Sequence, residues 1–277
     1  SGTWVFDDER VGLVREPFVI GVPDMINHLV RDIPDAREGF RMVFSKTKYP
    51  GYSQSLSQNL MNLVASHDSP RFGTSFQNKH KYKFRMGARK NTDLHLGPPD
   101  TAVVREMRMM LLHQFTYTGA PHIWSGDELG MWGADDPDCR KPVIWDDIKH
   151  RPQVFTPDGQ RHEPFPVKPD TELRSYYKTL IALRKKRREL VGGGLEFVVA
   201  NDNDMTLAYR RELAGRETIV AFNLSGQVKT ISLTADDRLK SRVLLESSPG
   251  SVAGFRQNKR TTEIKLNPYS GVALGDE

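Results

Sequence analysis

Residues 119–128 read Gly-Ala-Pro-His-Ile-Trp-Ser-Gly-Asp-Glu, and they follow an amphipathic helical pattern. In that pattern Asp100 occupies the N-cap position, and apolar residues recur at helical spacing at Val103, Val104, Met107, Met110 and Leu111. Gly119-Ala120-Pro121 breaks the helix, His122-Ile123-Trp124 predicts a short strand, and Ser125-Gly126-Asp127 predicts an acidic loop. Helix, turn, strand and acidic loop in this order are typical of a (β/α) barrel.

A second polar stretch, Ser66-His67-Asp68-Ser69-Pro70-Arg71, ends another apolar segment. Histidine donates hydrogen bonds and an ionised carboxylate accepts them, so the His67-Asp68 pair suits a ligand rich in hydroxyl groups. The alternative is a loop pair or a helix cap without a ligand. Trp124 has two interpretations as well, a core residue or a platform on which a sugar ring stacks. Asp127 follows a glycine and is otherwise a turn former or a helix N-cap.

The composition of the 277-residue chain is that of an ordinary soluble globular protein, with 38% hydrophobic and 27% charged residues. The length suits one large domain or two ordinary ones. No apolar run approaches the roughly 20 residues of a membrane span, and no signal-peptide pattern opens the chain, so no membrane partner is expected. Much of the net charge of +5 lies in two basic runs, 79–90 and 184–188. Aromatic residues in the first run are limited to Tyr82 and Phe84, so nucleic-acid binding is not favoured.

Cys139 is the only cysteine, which excludes an internal disulfide and a metal site built from cysteines. A single cysteine favours a cytoplasmic setting and leaves a secreted enzyme without disulfides open. Five aspartates offer oxygen ligands for calcium, at Asp135, Asp136, Asp138, Asp146 and Asp147. Their spacing is not that of an EF-hand loop, so a solvated loop is favoured and no cofactor is expected.

Three regions differ in pattern: an α+β segment over 1–52, an α/β region over 53–190 and an all-β region over 191–277. The second region ends with a Pro-rich connector over 151–170 and a helix that Asp170 caps and Gly192-Gly193-Gly194 ends. In the third region, a period of two predicts an antiparallel β-sandwich with strands at 206–210, 217–222, 230–233, 242–245 and 263–266. The many unpaired strand edges favour a homo-oligomer.

Ordered motifs carry a resemblance to a known family. Residues 62–72 resemble the fourth sequence region of the alpha-amylase family of glycoside hydrolases (family 13), in which Ser66 replaces the usual asparagine. Residues 119–131 resemble the last barrel strand of that family, and 136–142 with Trp145 resemble the following stretch in neopullulanases and cyclomaltodextrinases. The resemblance covers roughly 54–277. It implies an α-glucan oligosaccharide as partner and the C-terminal portion of a TIM (β/α)8 barrel followed by a β-sandwich domain.

The resemblance also implies a role for four residues. Asp68 is the carboxylate that stabilises the transition state, and His67 is the sugar-binding histidine beside it. Arg71 and Asp127 shape the mouth of the site or line the substrate sites. Trp124 is a further substrate-binding candidate because of its aromatic ring, and not through the resemblance.

The same family uses a nucleophile in a Gly-x-Arg-x-Asp segment and a later acid/base glutamate. Only Gly39-Phe40-Arg41-Met42-Val43 fits the first pattern, and a valine cannot attack a sugar carbon. Residues 2–52 instead resemble a small uncharacterised bacterial family. We therefore expect a retaining α-glucan hydrolase of the alpha-amylase family, present as a C-terminal fragment without the nucleophile and acid/base, and inactive alone. The alternative is a non-catalytic carbohydrate-binding or interaction protein.

Overall fold

The computed structural model describes residues 58, 61–62, 64–67, 69–78, 94–157, 159–201, 203–234, 242–258 and 261–276. The predicted α+β segment over 1–52 and the candidate Asp68 lie outside these residues. The described chain divides into two compact units. The first contains residues of Met61–Met107 and Pro121–Thr179, and the second contains residues of Arg108–Ala120 and Leu180–Glu277. The predicted domain boundaries at 52 and 190 stay predictions.

The described residues form four α-helices, α1 (Phe72–Gln77), α2 (Thr101–Thr116), α3 (Thr171–Lys186) and α4 (Arg188–Gly192). Both predicted N-caps are confirmed: Asp100 Oδ1 accepts the Val103 N–H at 2.8 Å, and Asp170 Oδ1 accepts the Leu173 N–H at 2.8 Å. Each cap satisfies a backbone donor that the first helical turn leaves without a partner.

One long helix was predicted from Asp170 to the triple glycine, and this prediction is wrong at Arg187. The backbone of Arg187 is extended, with φ −101° and ψ 90°, and it separates α3 from α4. The side chain of Arg187 is buried, whereas the pattern placed it in a solvated basic run. Its guanidinium donates hydrogen bonds to Thr218 and Asp276 of the β-sandwich, so the helix break lies at a residue with long-range partners.

The first unit also contains short strands and turns. Four strands lie between residues 61 and 165: β1 (Met61–Asn62), β2 (Ala120–Pro121), whose first residue belongs to the second unit, β3 (Gln153–Phe155) and β4 (Arg161–Phe165). The strand predicted at 122–124 is wrong in position, because the strand is formed by Ala120–Pro121 and residues 122–124 lie outside it. The chain then turns after Trp124, whose carbonyl accepts the Asp127 N–H at 3.0 Å. The predicted connector contains the antiparallel hairpin β3–β4, which turns at Gly159 with φ +87°.

The second unit contains eight further strands, β5 (Gly194–Asn201), β6 (Thr206–Leu213), β7 (Arg216–Asn223), β8 (Lys229–Thr234), β9 (Arg242–Glu246), β10 (Val252–Gln257), β11 (Thr261–Leu266) and β12 (Ser270–Gly275). They form an antiparallel five-stranded sheet, β5-β6-β7-β12-β9, and an antiparallel three-stranded sheet, β10-β11-β8.

The two sheets share one apolar core, to which both contribute fully buried side chains such as Ile219 and Leu274 of the larger sheet and Ile231 and Ile264 of the smaller. Antiparallel sheets with one face on a common core are a β-sandwich. The predicted C-terminal β domain is therefore confirmed. In the described part of the chain, no helix has the length and apolarity that crossing a membrane demands.

Candidate functional site

The first unit brings together four of the five residues predicted from the sequence. His67 and Arg71 come from the segment before α1, and Trp124 and Asp127 come from the loop after β2. The two segments are joined at their start, because the backbone N–H of His122 donates to the Asn62 carbonyl at 2.9 Å.

Arg71 is the centre of this cluster. Only 1% of the residue is exposed, and its Nη1 donates to the Ser125 carbonyl at 2.6 Å and to Asp127 Oδ1 at 3.2 Å. Its backbone N–H donates to the Gly133 carbonyl at 3.0 Å. The arginine thus fixes the loop that carries Trp124 from both its side chain and its main chain.

Asp127 is equally buried, with 1% of the residue exposed. Desolvation raises the pKa of Asp127 to about 7, and the attraction of Arg71 opposes this rise without overcoming it. Since neither member of the pair reaches the surface, the structure gives both a supporting position under the site. Direct contact of Arg71 or Asp127 with a substrate stays a prediction.

Trp124 and His67 form the accessible part of the cluster. Trp124 is half-buried and His67 is exposed, with their ring centroids 6.1 Å apart. The guanidinium carbon of Arg71 lies 5.4 Å from the Trp124 ring centroid, within cation–π range. Trp124 Nε1 donates to the Cys139 carbonyl at 3.4 Å. Trp124 is therefore partly accessible and held in place, and an indole in such a position can stack on a sugar ring.

Two neighbours of this cluster were not predicted as site residues. The Cys139 thiol donates to the His67 carbonyl at 3.2 Å, which ties the histidine to the acidic loop. His122 is half-buried, and its pKa is lowered first by burial and then by the nearby His67. A sequence signal for His122 existed, because residues 122 and 124 share one face of an extended segment.

The acidic stretch is engaged by basic side chains. Asp138 Oδ1 lies 3.1 Å from Lys141 Nζ, Asp136 pairs with Arg140, and Asp146 pairs with Arg174. Among the residues that the structure describes, no group of three or more His, Cys, Asp or Glu side chains is arranged to hold a metal ion. In the described loop these carboxylates neutralise neighbouring cations.

The amino-acid sequence is similar to those of several known proteins. No family model matches the chain. A cyclomaltodextrinase from a Bacillus species is 29% identical over 212 residues, covering 76% of this chain and 29% of that protein. Neopullulanase 2 of Thermoactinomyces vulgaris is 28% identical over 223 residues, covering 80% of this chain and 30% of that protein. Over the aligned part, the chain is similar to proteins named cyclomaltodextrinase and neopullulanase.

Solved structures of the alpha-amylase family share the fold. A cyclomaltodextrinase structure matches 94% of this chain and 36% of its own, with a TM-score of 0.63 and 24% identity. The alpha-amylase from H. orenii matches 92% of this chain and 47% of its own, with a TM-score of 0.60 and 18% identity. At these identities the likeness concerns the fold alone.

The matches cover a small part of each relative and most of this chain. The chain spans about a third of the length of the curated relatives that it matches. The cyclomaltodextrinase of Thermoanaerobacter pseudethanolicus, 28% identical, covers 89% of the 277 residues and 35% of that relative. Only about 30 residues then fall outside the aligned part, so part of the opening segment 1–52 aligns with this relative too.

Proposed function

We propose that the chain carries one side of an α-glucan site of an alpha-amylase-type glycoside hydrolase. The observation that carries the proposal is the exposed His67 beside the half-buried Trp124, whose ring lies within cation–π range of Arg71 in the buried Arg71–Asp127 pair. An aromatic face next to a polar ring is a suitable surface for an oligosaccharide. The relatives are named for α-glucan substrates, cyclomaltodextrin and pullulan among them.

The proposal extends to the fold and to the mechanism. The first unit is the last part of a (β/α)8 barrel, and the bond between Asn62 and His122 supports this because consecutive barrel strands are neighbours. Asp68 follows His67 in sequence and is the carboxylate that stabilises positive charge in an oxocarbenium-like transition state. Homo-oligomerisation stays a prediction from the strand edges.

This polypeptide by itself is proposed to bind α-glucans without cleaving them. A retaining glycosidase needs a nucleophile and an acid/base carboxylate about 5 Å apart, and only Asp68 matches a catalytic position of the family. A non-catalytic carbohydrate-binding protein is the second candidate, and the coding sequence upstream of residue 54 decides between them. A Gly-x-Arg-x-Asp segment followed by a glutamate there supports the hydrolase.

The test combines titration and assay. Isothermal titration of the chain with maltooligosaccharides is expected to show binding that His67→Ala weakens by about fivefold or more, the loss of roughly one hydrogen bond. His95→Ala, which removes an exposed histidine of the same unit outside the cluster, is the matched control and leaves binding unchanged. Maltodextrin and cyclodextrin assays are expected to show no turnover. Turnover that Asp68→Asn abolishes would refute the inactivity of this chain, and absence of binding would refute the α-glucan site.

A further inference from the structure

A cavity of about 260 Å³ lies in the first unit, and its lining shares no residue with the cluster around Arg71. The side chains that decide its chemistry are Met131, Trp132, Lys141, Ile144, Arg151 and Val167. Three of these are apolar, and they pack with Leu129 and Val143 into a local core. The other three carry N–H donors. The cavity therefore has an apolar wall, and the cationic side chains of Lys141 and Arg151 form its rim.

Trp132 brings a donor that lacks an acceptor. The residue is 5% exposed, and its buried Nε1 has no hydrogen-bond partner among the described residues. The ring itself is well fixed, since Phe165 packs against it edge-on at 6.5 Å and Lys141 Nζ lies 5.9 Å from its centroid. A buried N–H without an acceptor costs about 1–3 kcal/mol. The Nε1 atom is itself buried, so Trp132 contributes its ring, and not this N–H, to the lining of the cavity.

One positive charge on the rim has no ion-pair partner in the part of the chain that the structure describes. Lys141 is balanced, because its Nζ lies 3.1 Å from Asp138 Oδ1 and donates to Gln153 Oε1 at 3.2 Å. Burial lowers the pKa of Lys141, and Asp138 opposes that effect. Arg151 is exposed and forms no ion pair with any described residue. Of the described residues that line the cavity, none is acidic. An anion is the complementary ligand.

We propose that this cavity binds a monosaccharide phosphate, with its phosphate at Arg151 and its sugar ring against Trp132 and the apolar wall. The planar guanidinium of arginine matches phosphate oxygens in pairs. The apolar wall suits the carbon-bound hydrogens of a sugar ring, and the volume lies below the roughly 300–1,000 Å³ of pockets for larger ligands. The site is separate from the proposed α-glucan site and does not rest on it.

Isothermal titration of the whole chain with glucose 6-phosphate tests the proposal, with glucose and inorganic phosphate as parallel ligands. The ester is expected to bind at least tenfold more tightly than either part, the equivalent of about 1.4 kcal/mol. Arg151→Gln is expected to weaken ester binding about tenfold, the loss of a charge-assisted hydrogen bond. Lys149→Gln removes an exposed cation two residues away that does not line the cavity, and it should leave the affinity unchanged.

A spectroscopic signal locates the ligand. In ¹H–¹⁵N spectra the indole resonance of Trp132, assigned by its absence in Trp132→Phe, is expected to shift on titration with the ester. The indole resonance of the exposed Trp145 should stay in place. Equal affinity for inorganic phosphate or glucose overturns the proposal, as does an Arg151→Gln variant that binds like the wild type or a Trp132 resonance that does not move.

Discussion

Gly126 sets the path of the loop that carries Trp124 and Asp127. Its φ of +100° lies in the left-handed region, where a Cβ is unfavourable. Its carbonyl accepts the N–H groups of Leu129 at 3.0 Å and Met131 at 3.1 Å. A Cβ at this position would overlap the Met131 sulfur and lie 3.0 Å from Arg71 Nη1. Glycine is therefore required both by the backbone and by the close approach of Arg71.

The Gly126→Ala variant is expected to lower the free energy of unfolding by about 2–4 kcal/mol, since strain and overlap add. Gly159→Ala is the matched control, because Gly159 also has a positive φ (+87°) but nothing lies within 4 Å of its Cβ position. That variant should lose only about 1 kcal/mol. Urea unfolding followed by tryptophan fluorescence measures both, and equal losses would contradict the role assigned to Arg71 and Met131.

In the cluster around Arg71, the sequence predicted the turn at Gly126-Asp127 but not the burial of Asp127. The glycine and the aspartate of Gly126-Asp127 predicted a turn from local chemistry alone, and the turn is present. The burial of Asp127 was not predictable, because its partner Arg71 is 56 positions away and only the folded chain brings them together. The contact between Arg71 and Asp127 also places the Arg71 guanidinium beside the Trp124 ring.

At the scale of elements, Arg187 joins α3 and α4 to the sandwich of the second unit. Its guanidinium donates to Thr218 Oγ1 at 3.1 Å, to the Asp276 carbonyl at 2.8 Å and to Asp276 Oδ1 at 2.8 Å, and it pairs with Glu189. Glu189 is fully buried, so its charge needs compensation, which Arg187 supplies at closer range than Arg216 does.

Replacement of Arg187 by Met is expected to cost about 3 kcal/mol of unfolding free energy, because the buried Glu189 then keeps only the more distant Arg216, whose Nε lies 3.9 Å from Glu189 Oε2, as a counter-charge. Arg188→Met, at an exposed neighbouring position, should stay within about 0.5 kcal/mol of the wild type. The double variant Arg187→Met, Glu189→Leu should recover part of the loss, since it removes the buried charge. Thermal unfolding followed by circular dichroism measures all three, and similar stability of Arg187→Met and Arg188→Met would exclude this role.

Elements whose start depends on neighbouring residues were predicted from the sequence, and elements that depend on distant residues were not. Asp100 and Asp170 signal helix starts through their own side chains, and both starts are found where predicted. The break at Arg187 depends on Thr218 and Asp276, which lie 31 and 89 positions away, so no local pattern contains it. β5, β10 and β12 were missed for a related reason. Each contains a glycine, which weakens the strand pattern and is tolerated only in the assembled sheet.

At the scale of the whole molecule, the two units each contain a buried titratable group, and the two groups respond to pH in opposite directions. In the first unit, burial raises the pKa of Asp127 from 3.8 to about 7. In the second unit, burial lowers the pKa of His113 from 6.5 to about 3, where its ring packs against Tyr117, Tyr209 and Phe222. In both cases burial favours the neutral form of the group in the folded state.

The signs follow from proton binding in the folded and unfolded states. Between pH 3.8 and about 7 the folded state holds a proton on Asp127 that the unfolded chain has released, so this contribution to stability falls as the pH rises. Between pH 6.5 and about 3 the unfolded chain holds a proton on His113 that the folded state does not, so that contribution falls as the pH falls. Each effect has a limiting slope of about 1.4 kcal/mol per pH unit.

Acidification from pH 7 to pH 5 is therefore expected to favour the first unit through Asp127 and to disfavour the second through His113. The described tryptophans, Trp124, Trp132 and Trp145, all lie in the first unit, so tryptophan fluorescence in a Trp4→Phe background reports on that unit. Circular dichroism in the β region reports mainly on the sandwich. By fluorescence, the wild type should gain stability relative to Asp127→Asn as the pH falls. By circular dichroism, it should lose stability relative to His113→Gln over the same interval. Because each comparison cancels every group except the one replaced, shifts of the same sign in the two comparisons would show that at least one of these groups is not neutral in the folded protein.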